Sequence, residues 1–164
     1  MEKIIYLGAD HNGWKMKNEL RVWLQGEGYE VKDVGPDALD EADDYPDYGF
    51  KVARAVAENS PEALGILLCG SGAGMAVAAG KVAGVRSALI HDPAVARSAR
   101  QDDDINVLAL GASFIDVQQA KEVIKAWLAT DYLGKERHAR RLDKIKDYEQ
   151  RQGRGPNNRP GRPG

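Results

Sequence analysis

One cysteine, Cys69, stands alone among 164 residues. A lone thiol cannot close an intramolecular disulfide, so a reducing, cytoplasmic setting is the expectation. Long apolar runs are also missing. None approaches the roughly 20 residues that cross a bilayer, and no membrane partner is expected. The first residues lead straight into Lys3-Ile4-Ile5-Tyr6-Leu7, without the layout of a secretion signal. An excess of one charge is lacking too. A formal net charge of -2 gives neither nucleic acid nor an anionic membrane a reason to bind. What is present, 43% hydrophobic and 29% charged residues, is the composition of an ordinary soluble domain of about this length.

Short apolar runs alternate with helix-length amphipathic stretches. Strands are expected over 4–7, 29–34, 64–68, 87–90 and 107–110. Helices are expected over 14–25, 48–58, 75–82, 94–100 and a segment capped by Asp116 that ends at Leu128. Residues 37–44 form an acidic loop. The alternation implies βαβ units: an α/β, Rossmann-like three-layer sandwich with a five-stranded parallel sheet. Ligands of such sheets sit beyond the carboxyl ends of the strands. The residues to inspect are therefore Asp10 and His11, the loop through Tyr45, the turn after Leu68, His91 and Asp92, and Gly111 to Ser113.

A last, charged helix over 136–152 carries only a thin apolar stripe of Leu142, Ile145 and Tyr148. That suits docking on a partner better than entering a core. Residues 153–164 are all Gly, Pro, Arg or Asn, a composition that cannot bury enough apolar surface to order. The expected organisation is one domain over 1–152 and a disordered tail over 153–164.

The most informative segment is Cys69-Gly70-Ser71-Gly72-Ala73-Gly74. Glycines after a strand let main-chain amides approach an anion, and the following helix adds its positive end. The same environment favours the thiolate of a cysteine, which makes Cys69 a candidate for proton transfer. Cys69 also reads simply as a small apolar residue ending a buried strand. A dinucleotide fingerprint does not fit, because the sixth position is Met75 and the turn follows the third strand rather than the first. Asp10-His11 can hold hydroxyls or a phosphate. Arg137 and Arg141, one helical turn apart, can converge on one phosphate or form a solvated basic face. Asp102-Asp103-Asp104 reads as a helix end or solvated loop; no further oxygen ligands accompany it, and no metal is expected.

Together these motifs resemble the ribose-5-phosphate isomerase B family, which includes galactose-6-phosphate isomerase subunits. The resemblance runs from Lys3 to about Tyr148. It is carried by Gly8-Ala9-Asp10-His11-Asn12-Gly13, Asp44-Tyr45-Pro46-Asp47-Tyr48 and Gly65-Ile66-Leu67-Leu68-Cys69-Gly70-Ser71-Gly72-Ala73-Gly74-Met75. Ala83-Gly84-Val85-Arg86-Ser87-Ala88, Asn106-Val107-Leu108-Ala109-Leu110-Gly111 and Gly134-Lys135-Glu136-Arg137-His138 continue it.

The resemblance implies an aldose–ketose isomerase of sugar phosphates that works through a cis-enediolate without metal or organic cofactor. It makes Cys69 the base. The amides of Gly70, Gly72, Ala73 and Gly74, with Ser71, would stabilise the enediolate oxygens. Asp10 and Tyr45 would hold sugar oxygens, and His11, Arg137 and Arg141 the phosphate. It also implies a homodimer or tetramer with sites shared between subunits and the last helix used in assembly.

The chain departs from the family pattern where ring opening is expected. Asp102 stands in place of a histidine and Asp103 in place of an asparagine, each taken as the candidate for the position's role. Ser113 replaces an arginine and Gly80 an asparagine. Two consequences are possible: an isomerase for a substrate that needs no ring opening, such as a tetrose phosphate, or a non-catalytic sugar-phosphate-binding member or inactive subunit of a hetero-oligomer.

Overall fold

The computed structural model describes residues 3–153. Eleven elements follow one another: β1 (Ile4–Ala9), α1 (Trp14–Gly26), β2 (Glu30–Asp33), α2 (Tyr45–Glu58), β3 (Ala63–Cys69), α3 (Ala73–Ala79), β4 (Ser87–Leu89), α4 (Pro93–Asp103), β5 (Val107–Gly111), α5 (Val117–Leu128) and α6 (Glu136–Gly153). All strand pairs are parallel, in the order β2-β1-β3-β5-β4. The expected three-layer α/β sandwich is what forms.

Side-chain alternation along the strands builds both faces. Ile5, Leu7, Leu64, Ile66, Leu68, Leu108 and Leu110 pack with Leu20, Leu24, Ala96, Val123 and Trp127, so α1, α4 and α5 cover one face. Tyr6, Leu67, Cys69, Val107 and Ala109 pack with Val52, Val56, Met75 and Ala79, so α2 and α3 cover the other. A sheet covered on both sides explains why the central strands read as unbroken apolar runs. Trp127 is fully buried, and its Nε1 donates to the carbonyl of Ile105 at 3.0 Å.

Three helices differ from their expected spans. α2 begins at Tyr45, three residues early, because Pro46 sits in its first turn where a missing N–H costs nothing. α3 covers Ala73–Ala79 instead of 75–82; Ser87 Oγ donates to the carbonyl of Ala76 at 2.7 Å where the helix ends. α4 continues past residue 100 to Asp103, so Asp102 and Asp103 are helical. Asp104 then closes it with a left-handed backbone (φ 48°) and an N–H bond to the carbonyl of Ala99. The capping box at Asp116 forms with Gln119, as its position suggested.

Connectivity fixes where α4 ends. The helix leaves the carboxyl edge of β4 and returns to the amino edge of β5, a run of about 16 Å for its 11 residues. There Asp104 pairs with Arg86 (2.6 Å) and with Arg100. α6 lies along this same amino edge, where Glu149 accepts the Gly84 N–H at 3.0 Å. His138 is its only buried side chain, as expected of a helix unsuited to the core. The expected tail lies, beyond Gly153, outside the described residues.

Candidate active site

β1 and β3 are neighbours from which the chain proceeds in opposite directions across the sheet, to β2 on one side and to β4, beyond β5, on the other. A crevice at the carboxyl edge belongs at such a reversal. Cys69 ends β3 there, only 4% exposed, and its Sγ accepts the Gly72 N–H at 3.1 Å. Gly72 takes a left-handed φ of 77°, and a side chain on it would strike the main chain of Leu110 at 2.8 Å; only glycine fits.

The turn is braced by the end of β5. Cys69 O accepts from Ala112 N (2.9 Å), and Gly70 O accepts from Ser113 N (3.0 Å). Gly111 abuts the Ser71 carbonyl so closely that a Cβ there would lie 2.6 Å from it. With these carbonyls occupied, main-chain N–H groups are what the turn has left to offer an anion, and two of them, on Gly72 and Ala73, rest on the side chains of Cys69 and Ser71. The Ser71 hydroxyl accepts from Ala73 N at 3.3 Å, and Ser71 is exposed.

Asp10 follows β1, 5% exposed, with Oδ1 accepting the Gly13 N–H at 3.1 Å. His11 is partly exposed beside it. Its Nδ1 lies 2.7 Å from Asp43 Oδ1, and this bond is the largest cause of an imidazole pKa raised above the usual histidine value. Tyr45 opens α2 with its ring against the glycine turn: a Cβ on Gly74 would come within 2.8 Å of it. A Cβ on Gly70 would touch Ser113 Oγ (3.5 Å) and Asn12 Cγ (3.6 Å). Cys69, Gly70, Ser71, Gly72, Ala73, Gly74, Asp10, His11 and Tyr45 are thus gathered at one edge.

The other expected residues are at the opposite edge. Asp102 Oδ1 is 3.2 Å from Nδ1 of the buried His138, an ion-pair distance without hydrogen-bond alignment. Arg137 Nε donates to His138 Nε2 at 2.8 Å. Asp103 and Arg141 are exposed on the same side. One chain therefore does not bring Asp102, Asp103, Arg137 and Arg141 to Cys69.

Sequence reasoning missed three participants. Asp43 was one of several carboxylates in an acidic loop. His91 was noted only as following β4, yet its Nε2 accepts the Gly111 N–H at 2.9 Å and anchors the brace. Asp92, noted beside it, is instead the cap of α4, accepting from Ala94 N (2.7 Å) and Val95 N (3.0 Å). His138 was visible only as the last residue of the motif from Gly134.

The model of a protein family described as Ribose/Galactose Isomerase matches residues 5–145. The chain belongs to this family. Ribose-5-phosphate isomerase B of Escherichia coli is 41% identical over 151 residues, covering 92% of this chain and 99% of that protein. D-erythrulose-4-phosphate isomerase of Pectobacterium atrosepticum is 39% identical over 145 residues, 88% of this chain and 94% of the relative. Among solved structures, the family member from Mycoplasma genitalium, a ribose-5-phosphate isomerase B with bound ribulose-5-phosphate, superposes with a TM-score of 0.88 at 40% identity, covering 92% and 98% of the two chains. Among the described residues, no helix is long and apolar enough to cross a membrane.

Proposed function

We propose that the chain interconverts the aldose and ketose forms of a small sugar phosphate, with Cys69 as the proton-transferring base. The observation that carries this reading is the seat of the sulfur, at the end of β3 against a turn in which the carbonyls of Cys69, Gly70 and Gly72 are engaged elsewhere. A thiolate there takes the proton from the carbon next to the carbonyl. The electron pair moves into a cis-enediolate while the hydroxyl proton passes between its two oxygens, and Cys69, its proton partly exchanged with solvent, returns a proton to the neighbouring carbon. N–H donors of the turn stabilise the oxygens as charge develops on them. Asp10 and Tyr45 orient the sugar oxygens, and His11 meets the phosphate.

The substrate class we favour is a four-carbon sugar 4-phosphate. With its terminal hydroxyl esterified, such a substrate cannot close a furanose ring and needs no ring-opening acid. This agrees with the absence at position 102 of the histidine that the family pattern places there for ring opening. Likeness to an erythrulose phosphate isomerase supports the same choice.

Arg137 and Arg141 are assigned to the phosphate across a subunit boundary. They lie at the wrong edge of their own sheet, so they reach a Cys69 only in a second copy, and a homodimer or larger assembly follows from the reading. Asp102, beside the imidazole that holds the Arg137 Nε–H, is then suited to orient that arginine.

Purified protein assayed with erythrulose 4-phosphate, ribulose 5-phosphate and galactose 6-phosphate tests the proposal. Turnover should be fastest on the tetrose. Fast turnover of ribulose 5-phosphate alone removes the substrate assignment. Absence of Cys69-dependent solvent-proton exchange with every sugar phosphate leaves a binding protein instead.

A further inference from the structure

Asp43 belongs to the loop before α2, yet one of its oxygens takes two N–H bonds from a single residue across the site. Oδ1 accepts the main-chain N–H of His11 at 3.0 Å and the ring Nδ1–H at 2.7 Å. The carboxylate is 5% exposed and the imidazole 31%. The buried partner is thus the fixed one, and the ring is held by one edge only. Its other nitrogen, Nε2, accepts from Nδ2 of the exposed Asn12 at 2.9 Å, a surface contact that a ligand oxygen replaces when Nε2 carries a proton. Asp10, whose own Oδ1 is taken by the Gly13 amide, flanks the ring on the β1 side.

We propose that Asp43 is a positioning residue for substrate phosphate, clamping His11 by its main chain and Nδ1 so that Nε2 is presented to a phosphoryl oxygen. The proposal rests on the reading of His11 as a phosphate ligand, and it adds the group that makes His11 one. A free imidazole rotates and is mostly neutral at pH 7 to 8. Held by a carboxylate, it is fixed in orientation and keeps its second proton, on Nε2, to higher pH than a free imidazole does; with both N–H groups it has the donor pattern a phosphate dianion needs.

The charged groups around His11 act in one direction. The bond to Asp43 raises its pKa most; Asp10, Asp43 and Glu41 add through their charge, and only desolvation opposes them. From α2, Tyr48 faces the same carboxylate. Its hydroxyl is pushed above its usual pKa, first by burial and then by Asp43, so it contributes no charge.

The sign follows from these directions. A raised pKa keeps the imidazolium, and with it phosphate affinity, at pH values where an ordinary histidine is neutral; both are lost as pH rises through the raised pKa. Inorganic phosphate is the probe, titrated calorimetrically against the whole protein from pH 6 to 9, alongside imidazole 15N spectra of His11. In Asp43→Asn, His11 should titrate at lower pH, and the phosphate Kd at pH 8 should rise about tenfold, the size of one charge-assisted hydrogen bond. Asp43→Glu should restore part of both.

An unchanged His11 titration together with an unchanged phosphate Kd in Asp43→Asn overturns the proposal. So does a His11→Ala protein that binds phosphate as well as the parent. Neither readout requires turnover, so failure of the isomerase reading appears separately, as absent activity with the clamp intact.

Discussion

At the carboxyl edge of the sheet, the groups that would recognise a ligand are mostly main chain: glycine turns, a carbonyl-bracing loop and one thiol, with Asp10, His11, Asp43 and His91 as acids and bases engaged among the described residues. At the amino edge it is by long charged side chains. Arg86, Arg100 and Asp104 form a network there, and the His138–Arg137 pair hangs on α6. The first edge suits charge that develops on enediolate oxygens during a reaction, because fixed amides need no rearrangement. The second suits a charge that is already present, a phosphate. On the proposed reading an isomerase needs both edges, and one chain does not bring its own two edges together.

The largest expected effect separates the two edges most sharply. Cys69→Ala should lower kcat about a thousandfold, within the range of general acid–base catalysis, with phosphate binding retained. Arg137→Ala should instead weaken binding. Mixing the two variants after unfolding and refolding then tests whether the edges belong to different copies. Random pairing in a dimer makes half the molecules heterodimers with one intact site each, so activity should recover to about a quarter of the parent's. No recovery in the mixture would mean that one chain supplies both edges.

A smaller effect addresses the amino edge as structure. Asp104→Ala leaves the largely buried Arg100 without its carboxylate partner and should cost about 1–3 kcal/mol in urea denaturation. Asp104→Gly should cost less, because glycine accepts the left-handed backbone at that cap. A loss of activity beyond what the stability change explains would tie the network to catalysis.

The smallest concerns Asp102. If it orients Arg137 through His138, Asp102→Asn should raise KM about two- to fivefold, the reach of an exposed ion pair, and leave kcat unchanged. A fall in kcat with KM unchanged would make Asp102 a proton donor instead.

The sheet, its helices and the cysteine turn were legible because each is written locally. Residues 64–68 are uniformly apolar, glycines punctuate the turn, and Asp116 carries its capping partner three residues on. Tyr45-Pro46 announced the start of α2 as well, since proline favours the first helical turn, though the periodic pattern alone suggested residue 48. Asp43 was not legible. Among five acidic residues between 37 and 44, nothing local marks the one whose carboxylate crosses 32 positions to His11. The division of the site was implicit in the connectivity: a helix leaving one edge of a parallel sheet must finish at the other, so Asp102 could never share an edge with Cys69 of its own chain. Which residues share a motif list and which share a cavity are separate questions, and only the second depends on the direction of each helix.

α6 has a further meaning in terms of local stability. Its 18 residues bury a single side chain on their own domain, whereas every residue of β3 is buried. Opening free energies follow burial, so amide exchange should find α6 among the first helices to open in an isolated chain and β3 among the last segments. If another subunit covers α6, as the proposed assembly requires, its protection becomes a readout of assembly. The arginines that meet the phosphate would then be ordered by the same event that completes the pocket, and an unpaired chain would be slow to bind as well as unable to react.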